Sequence, residues 1–173
     1  MKKKYGLAVR WTHFPLHPET PDTGNSLEEL FRGRGYDIET MKQRMSGLMA
    51  EENLAYGNRT HTFNSRLAQE LSKWGESFPE GETLNLKLFE AYFVEGQNLA
   101  ETEVLLDVTE AAGLSRETAA EVIQERSFRS AVDADWKRAR KLGVTGVPTF
   151  VSGNQGLAGA QPFEALEQLI QSE

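Results

Sequence analysis

The segment Thr145-Gly-Val-Pro-Thr-Phe150 has the residue types and order of a binding site. Pro148 stands at the head of a β-rich run, although proline has no N–H to donate to a strand ladder. An X–Pro bond tolerates the cis form at a cost of only about 0.5–1 kcal/mol. A cis bond before Pro148 would leave the N–H and C=O of Val147 at the surface, where an extended peptide can pair with them. The alternative is that Pro148 merely terminates a loop.

Other kinds of chemistry find little support in the sequence. The chain has no cysteine, so its 173 residues contain no thiol nucleophile, disulfide or thiolate ligand. His13 and His17 are four residues apart, but the prolines between and around them predict an extended stretch that separates the two rings. His61, just before Asn64, could border a substrate groove, and a histidine in a surface loop is the alternative. The sequence therefore predicts no metal and no cofactor.

The composition is typical of a globular protein of one domain, or of one domain that carries an insertion. Its net charge of -7 predicts a surface that repels phosphate backbones, which argues against nucleic acid as a partner. The only basic run, at residues 2–4, is predicted to be a solvated tail. No stretch approaches the roughly 20 apolar residues of a membrane span, and no signal-peptide core follows Met1. We therefore expect a cytoplasmic protein without membrane association.

Periodicity divides the chain into two kinds of structure. Residues 7–13 alternate in apolar character and predict a β-strand, which a proline-rich connector follows. From residue 26 to about 142, apolar residues recur every three or four positions and predict helices, the first of them opened by a capping box at Ser26. The inward positions are predicted to be Leu67, Leu71, Trp74, Leu84, Leu88, Tyr92, Val104, Leu105, Val108, Ala119, Val122, Ile123, Val132, Trp136 and Ala139.

Two further features of these helices are predicted from the same spacing. Ile38, Met41, Met45, Leu48 and Met49 form one apolar stripe, which we call the methionine stripe. It is predicted to be core, and exposure to unfolded clients is the alternative. The acidic pairs Glu51-Glu52 and Asp133/Asp135 are predicted to lie on solvated helix faces.

The C-terminal part predicts a strand at 147–151, a glycine-rich hairpin turn, a return strand at 157–160 and a helix opened by Pro162. The order of elements is therefore strand, helical segment, hairpin and helix. This order predicts an α/β domain formed by residues 1–25 and 143–173, with a mainly helical insertion at 26–142.

The sequence also resembles a known family. Leu142-Gly-Val-Thr-Gly-Val-Pro-Thr-Phe-Val151 and Leu157-Ala-Gly-Ala-Gln-Pro-Phe-Glu164 resemble the closing segment of DsbA-like thioredoxin-fold proteins, and are most similar to the FrnE-type branch. Residues 9–19 resemble the strand and proline-rich connector of that branch, and residues 61–68 and 91–96 resemble its helical insertion. The resemblance implies a thiol–disulfide oxidoreductase of the disulfide-isomerase kind, whose cis-proline loop holds a peptide or protein substrate.

This chain departs from the family pattern at its start. The family begins with a strand that runs into a Cys-x-x-Cys helix, whereas residue 7 here corresponds to the second strand. The fold expected is therefore thioredoxin-like, with a large helical insertion and without the first strand and the active-site helix. Met1 is either a misplaced start in a longer reading frame or the start of a short form. Because the absent strand would lie between two others, we expect a homo-oligomer that pairs through exposed strand edges.

The resemblance implies that Thr145, Gly146, Val147 and Pro148 contact the substrate, with His61 and Asn64 bordering the groove, and that this cysteine-free chain is redox-inactive alone. No catalytic residue is predicted, and whether the chain is an enzyme stays open. One alternative function is a redox-dead module that binds a peptide or a small ligand. Another is a part of an enzyme similar to the kappa-type glutathione transferases and chromene-carboxylate isomerases, which bind glutathione at the same cis-proline.

Overall fold

The computed structural model of the protein describes residues 1–171. The chain folds into two compact units, the first made of residues 1–16 and the part from Val132 onward, and the second of residues 17–131. The boundaries expected from the sequence, at 26 and 142, both lie further along the chain than these. The elements are α1 Lys2–Tyr5, β1 Asn25–Ser26, α2 Leu27–Phe31, α3 Ile38–Glu51, β2 His61–Thr62, α4 Arg66–Gly75, α5 Gly81–Phe93, α6 Thr102–Ala111, α7 Arg116–Glu125, α8 Arg129–Lys141, β3 Thr149–Ser152, β4 Gln155–Ala158 and α9 Phe163–Gln171.

The second unit has its core between helices α4, α5, α6 and α7, each of which packs on two of the others. Leu71, Leu84 and Leu105 are fully buried there, and each such side chain contributes about 1.5–3 kcal/mol of transfer free energy. The spacing of apolar residues predicted this core correctly. The predicted inward residues that are buried in it are Leu71, Trp74, Leu84, Leu88, Leu105, Val108, Ala119, Val122 and Ile123, while Leu67, Tyr92 and Val104 pack against it half-buried.

Helix starts in the second unit follow local hydrogen bonding. The capping box predicted at Ser26 is confirmed, because its hydroxyl accepts from the Glu29 N–H and the Glu29 carboxylate accepts from the Ser26 N–H. Helix α5 begins at Gly81. A Cβ at Gly81 would lie 2.3 Å from the carbonyl oxygen of Gly75, so only glycine permits this close turn between α4 and α5.

Two very short strands that the sequence did not predict also belong to the second unit. β1 and β2 pair antiparallel, with Asn25 opposite Thr62 and Ser26 opposite His61. The Leu27 N–H extends the ladder by donating to the Thr60 carbonyl at 2.9 Å. Strands of two residues are too short to produce an alternating pattern, so periodicity could not have found them.

The first unit contains the hairpin β3–β4, on which α9 packs. The hairpin and the helix after Pro162 confirm the prediction for the C-terminal part. The basic tail is not simply solvated as expected. Lys4 Nζ lies 2.6 Å from the Glu167 carboxylate of α9, and the Tyr5 hydroxyl donates to the same carboxylate. This charge pair and hydrogen bond tie the N-terminal turn to α9.

The predicted strand at residues 7–13 is wrong. This segment forms no strand, and the apolar residues Val9 and Trp11 are exposed. Alternation shows which residues share a face, but a strand also needs a neighbour to pair with. Here the His13 N–H instead donates to a side chain, at 3.2 Å from Oδ2 of Asp135 on α8.

Two helix faces also differ from expectation. The methionine stripe is not core, because no residue of α3 is buried and Met41, Met45 and Leu48 are exposed. Conversely, Asp135 is not solvated, since its side chain is only 2% exposed. Asp135 follows Val132 by three residues and precedes Ala139 by four, so it shares a helix face with these two buried residues.

No helix within residues 1–171 is long and apolar enough to cross a membrane.

Candidate functional site

The outer edge of β3 follows directly on the predicted binding segment. Ser152 pairs with Gln155 across a two-residue turn, and Phe150 pairs with Leu157. Because hydrogen-bonded and non-hydrogen-bonded pairs alternate along an antiparallel ladder, Phe150 faces β4 with its N–H and C=O. Thr149 and Val151 therefore direct theirs away from β4. No hydrogen bond within residues 1–171 engages these outward main-chain groups.

The turn fixes this register. Gly153 has φ 53°, and a positive φ at the first central residue is what two-residue hairpin turns of the primed types need. Glycine adopts it without the Cβ clash that other residues meet. At the other end of the hairpin, the Gly159 N–H donates to the Pro148 carbonyl at 2.8 Å. Hydrogen-bonded pairs therefore occur at Pro148–Gly159, Phe150–Leu157 and Ser152–Gln155, so both ends of the hairpin give the same register.

The four predicted binding residues at 145–148 lie at the start of this edge. The Val147–Pro148 peptide bond is cis, and the Val147 side chain is 49% exposed. Thr145 and Pro148 are exposed and Gly146 is half-buried. The loop is held by the Thr149 hydroxyl, which donates to the Gly146 carbonyl at 2.7 Å. Chemically, this arrangement offers an unpaired strand edge flanked by apolar side chains.

His61 and Asn64 belong to the second unit, whereas residues 145–148 belong to the first. His61 is exposed, and its ring stacks on Phe63 with centroids 5.9 Å apart. Asn64 already has structural partners: its Nδ2 donates to the Thr20 carbonyl at 2.9 Å, and its Oδ1 accepts from the Arg66 N–H at 2.9 Å. The second bond occupies a main-chain N–H at the start of α4, where the N-cap residue Ser65 makes no side-chain capping bond. A substrate contact by either residue stays a prediction.

Sequence reasoning missed a cationic cluster in the second unit. The Arg59 guanidinium lies over the rings of Tyr92 and Phe93, at 4.7 and 5.4 Å from their centroids, and it donates to the Tyr92 hydroxyl. Burial, and then the charges of Arg34 and Arg59, hold the pKa of His17 below its usual range. Four separate segments supply these residues, so no local pattern in the sequence could have revealed the cluster.

A second missed cluster is an ion-pair network on α4. The Glu70 side chain is 3% exposed and accepts from Arg66 Nε at 2.7 Å. Arg126 binds the same carboxylate through Nε and Nη2, each at 2.8 Å. Burial raises the pKa of Glu70, but the hydrogen bonds from Arg126 and Arg66 outweigh it, so this pKa lies below its ordinary value. Only the i, i+4 spacing of Arg66 and Glu70 was visible in the sequence.

Metal-binding geometry is absent from the described part of the chain, since no three or more His, Asp or Glu side chains converge there. His13 and His17 lie in different units. The edge of β3 and the loop before it offer main-chain groups that a ligand could bind.

Residues 1–171 match the DSBA-like thioredoxin domain family. The chain belongs to the DsbA-like thioredoxin-domain family. A DsbA-like chain of similar structure is the probable DsbA oxidoreductase from Streptomyces coelicolor, with a TM-score of 0.89 at 26% identity over 98% of this chain and 76% of that one. An uncharacterized protein of Bacillus subtilis (strain 168), YwbO, is 24% identical over 96% of this chain and 82% of its own length.

A further neighbour shows the fold alone. It is a 2-hydroxychromene-2-carboxylate isomerase, with a TM-score of 0.74 at 18% identity over 99% of this chain and 83% of that one. Together these findings confirm the expected fold class, a helix-rich α/β chain with thioredoxin-like relatives.

Proposed function

We propose that this DsbA-like chain holds an extended segment of a protein substrate on the outer edge of β3 during thiol–disulfide exchange. One observation carries the proposal: Thr149 and Val151 direct main-chain N–H and C=O groups outward, and no hydrogen bond in residues 1–171 uses them. An added strand would satisfy these groups with main-chain hydrogen bonds, which do not depend on the sequence of the substrate.

The side chains around this edge suit an unfolded substrate. Val147, Phe150 and Val151 are exposed apolar residues within five positions. A peptide that pairs with the edge would cover part of this surface, and each apolar Å² removed from water contributes about 25 cal/mol. Main-chain pairing combined with apolar contact favours extended, apolar segments, which folded proteins keep buried.

The exchange step needs thiols that this chain does not contain. A thiolate attacks one sulfur of the substrate disulfide, a new S–S bond forms, and the second substrate sulfur leaves as a thiolate. Since none of the 173 residues is cysteine, the attacking thiol must come from outside them. The role proposed for residues 145–151 is therefore to bind and orient the substrate. The cytoplasmic location stays a prediction from the sequence.

Glutathione binding is the second candidate, and the likeness to the isomerase is what brings it forward. Glutathione is itself a short peptide and would occupy the same main-chain groups. The two candidates differ in how binding affinity depends on the length of the ligand. A strand-adding edge binds a long peptide much more tightly than a tripeptide, whereas a glutathione site does not.

The test uses fluorescein-labelled, S-alkylated insulin B chain as an unfolded probe that cannot form a covalent bond to the protein. Val151→Pro removes an outward N–H from β3 and leaves the Thr149 hydroxyl bond that holds the loop, and we expect it to weaken binding at least tenfold by fluorescence anisotropy. Gly156→Pro is the matched control, because the N–H of Gly156 faces away from β3 on the opposite edge of the hairpin. A Cβ at Gly156 meets nothing closer than 3.6 Å.

The control should bind the probe within about twofold of the unchanged protein. Equal losses in both proline variants would contradict the proposal, as would a lack of binding by the unchanged protein. Binding of glutathione that is as tight as binding of the insulin chain would favour the transferase-like alternative instead.

A further inference from the structure

The cationic cluster of the second unit brings together three basic side chains, those of His17, Arg34 and Arg59. Both guanidinium charges act on the His17 ring, and no carboxylate in the part of the chain that the structure describes offsets them there. The chain as a whole carries a net charge of -7. A group of cations without an anion therefore runs against the overall balance of charge.

Other arginines of the same unit have internal counterions. Arg66, Arg116 and Arg126 each lie 2.6–2.8 Å from a carboxylate oxygen. Within residues 1–171, by contrast, neither Arg34 nor Arg59 forms an ion pair. Like charges that no acid compensates repel one another, so the cluster favours the binding of an anion.

The guanidinium of Arg59 is held in place by neutral groups. It lies over the rings of Tyr92 and Phe93 and donates to the Tyr92 hydroxyl, which itself donates to Thr62 Oγ1 at 3.1 Å. Thr62 is buried on β2. The Gly57 N–H donates to the Phe93 carbonyl at 2.9 Å and so holds the loop before Arg59 against the end of α5. The cation is thus positioned before any ligand arrives.

Most hydrogen-bond donors of this guanidinium remain available. Arginine has five N–H donors, and the bond to Tyr92 uses one of them, on Nη1. The Nε atom of Arg59 is buried and has no acceptor within residues 1–171. Ring faces stabilise the charge but do not replace an acceptor in the plane of the guanidinium. Because buried donors are nearly always bonded, this orphaned N–H indicates that a ligand supplies the acceptor.

We propose that the cluster binds a phosphate dianion, either free or carried by a small organic molecule. Arg34 and Arg59 supply two positive charges, which match the charge of about -1.5 to -2 that a phosphate group carries at pH 7. The guanidinium fork also matches the spacing of phosphate oxygens. The pKa of His17 lies below its ordinary value, so its ring is neutral at pH 7 and offers one further N–H.

The overall charge of the chain limits the size of this ligand. A net charge of -7 repels a long polyanion, whereas a single phosphate group feels mainly the local field of the cluster. The site uses the second unit alone and none of residues 145–151. The inference therefore does not rest on the proposed function, and its test contains no peptide.

The test is an NMR titration of the full ¹⁵N-labelled chain with inorganic phosphate at pH 7 and constant ionic strength. The Nε–H of Arg59 reports binding directly, and we expect a saturable shift with a Kd of about 1 mM or lower. The pKa of His17 should rise toward its ordinary value in saturating phosphate, because the anion offsets the two arginine charges. Acetate, with one charge, should bind at least tenfold more weakly.

Two alanine variants separate the site from the general effect of charge. Arg34 is exposed, so Arg34→Ala should leave the fold intact and weaken phosphate binding at least tenfold. Arg116→Ala is the matched control, since it removes the same charge from an arginine already paired with Glu103 and Asp107. The control should bind phosphate within about twofold of the unchanged protein.

A titration with glycerol 3-phosphate distinguishes the two sources of the phosphate group. Tighter binding than that of inorganic phosphate assigns the site to a phosphorylated organic molecule, and weaker binding assigns it to free phosphate. The absence of a saturable shift at the Arg59 Nε–H up to about 20 mM phosphate would overturn the proposal. So would acetate that binds as tightly as phosphate, or equal losses of binding in Arg34→Ala and Arg116→Ala.

Discussion

The main-chain N–H of Gly159 donates to the carbonyl oxygen of Pro148 at 2.8 Å. This bond sets the direction of every main-chain group along β3, because the two sides of an antiparallel strand alternate. With the Pro148 carbonyl turned toward the strand β4, Thr149 and Val151 point the other way. The substrate edge proposed here is thus a consequence of how the hairpin closes.

The absence of cysteine predicts the redox behaviour of the chain alone. We expect dithiothreitol-driven reduction of insulin to proceed at its background rate in the presence of the purified chain, because no residue in it can attack a disulfide. Turbidity of the released B chain measures the rate. Acceleration that grows with the concentration of the chain would contradict this account of the chemistry.

The lowered pKa of Glu70 should make the free energy of unfolding depend on pH. The folded-state pKa of this carboxyl lies below its ordinary value, so its contribution is fully present above about pH 5 and is lost as the pH falls through the folded pKa. Glu70→Gln should lower the free energy of unfolding by about 2 kcal/mol at pH 7, since it removes the buried carboxylate that Arg66 and Arg126 both bind. Urea unfolding between pH 7 and pH 3 measures both effects.

The difference between the parent and Glu70→Gln should shrink as the pH falls. A difference that stays constant down to pH 3 would show that the carboxylate charge does not stabilise the fold.

Two glycines of the second unit predict opposite effects of alanine. A Cβ at Gly57 would lie 1.9 Å from the Val94 carbonyl oxygen, so Gly57→Ala should displace the main chain and cost about 1–3 kcal/mol. A Cβ at Gly47, inside α3, meets nothing within 4 Å. Gly47→Ala should therefore stabilise the helix by roughly 0.5–1 kcal/mol. Thermal unfolding of the two variants, side by side, measures the contrast, and a shift of the same sign in both would contradict it.

Asp135 predicts a contrast between two substitutions in the first unit. Asp135→Ala removes the acceptor of the His13 N–H and should cost about 1–3 kcal/mol. Asp135→Asn keeps an acceptor oxygen and should cost less. The charge of Asp135 contributes little through Arg10, whose side chain is 68% exposed and lies 3.7 Å away. Equal losses in urea unfolding would show that charge, rather than the main-chain hydrogen bond, is what Asp135 supplies.

Spacing along the chain predicted the parts of the fold in which neighbours in sequence are also neighbours in the structure. The inward residues of α4–α7 and the hairpin are of this kind. Spacing assigns residues to a face but does not show what covers that face. For this reason the methionine stripe was placed in the core and residues 7–13 in a sheet, and both placements were wrong.

Contacts between distant residues set the other limit of prediction. Arg59 and Tyr92 are 33 positions apart, and Glu70 and Arg126 are 56 apart, so no local pattern joins them. Asp135 was a different case, because its spacing from Val132 and Ala139 already placed it on their face. Its acidic type suggested solvent exposure, and a main-chain partner from residue 13 made burial possible.

Amide hydrogen exchange along β3, followed by NMR with and without saturating S-alkylated insulin B chain, tests the central claim most directly. We predict that amide exchange at Thr149 and Val151 slows at least tenfold when the insulin B chain binds. Exchange at Phe150, already bonded to β4, and at Gly156, on the opposite edge, should change less than twofold. Unchanged exchange at Thr149 and Val151 in the saturated complex would contradict the claim that the substrate adds a strand to this edge.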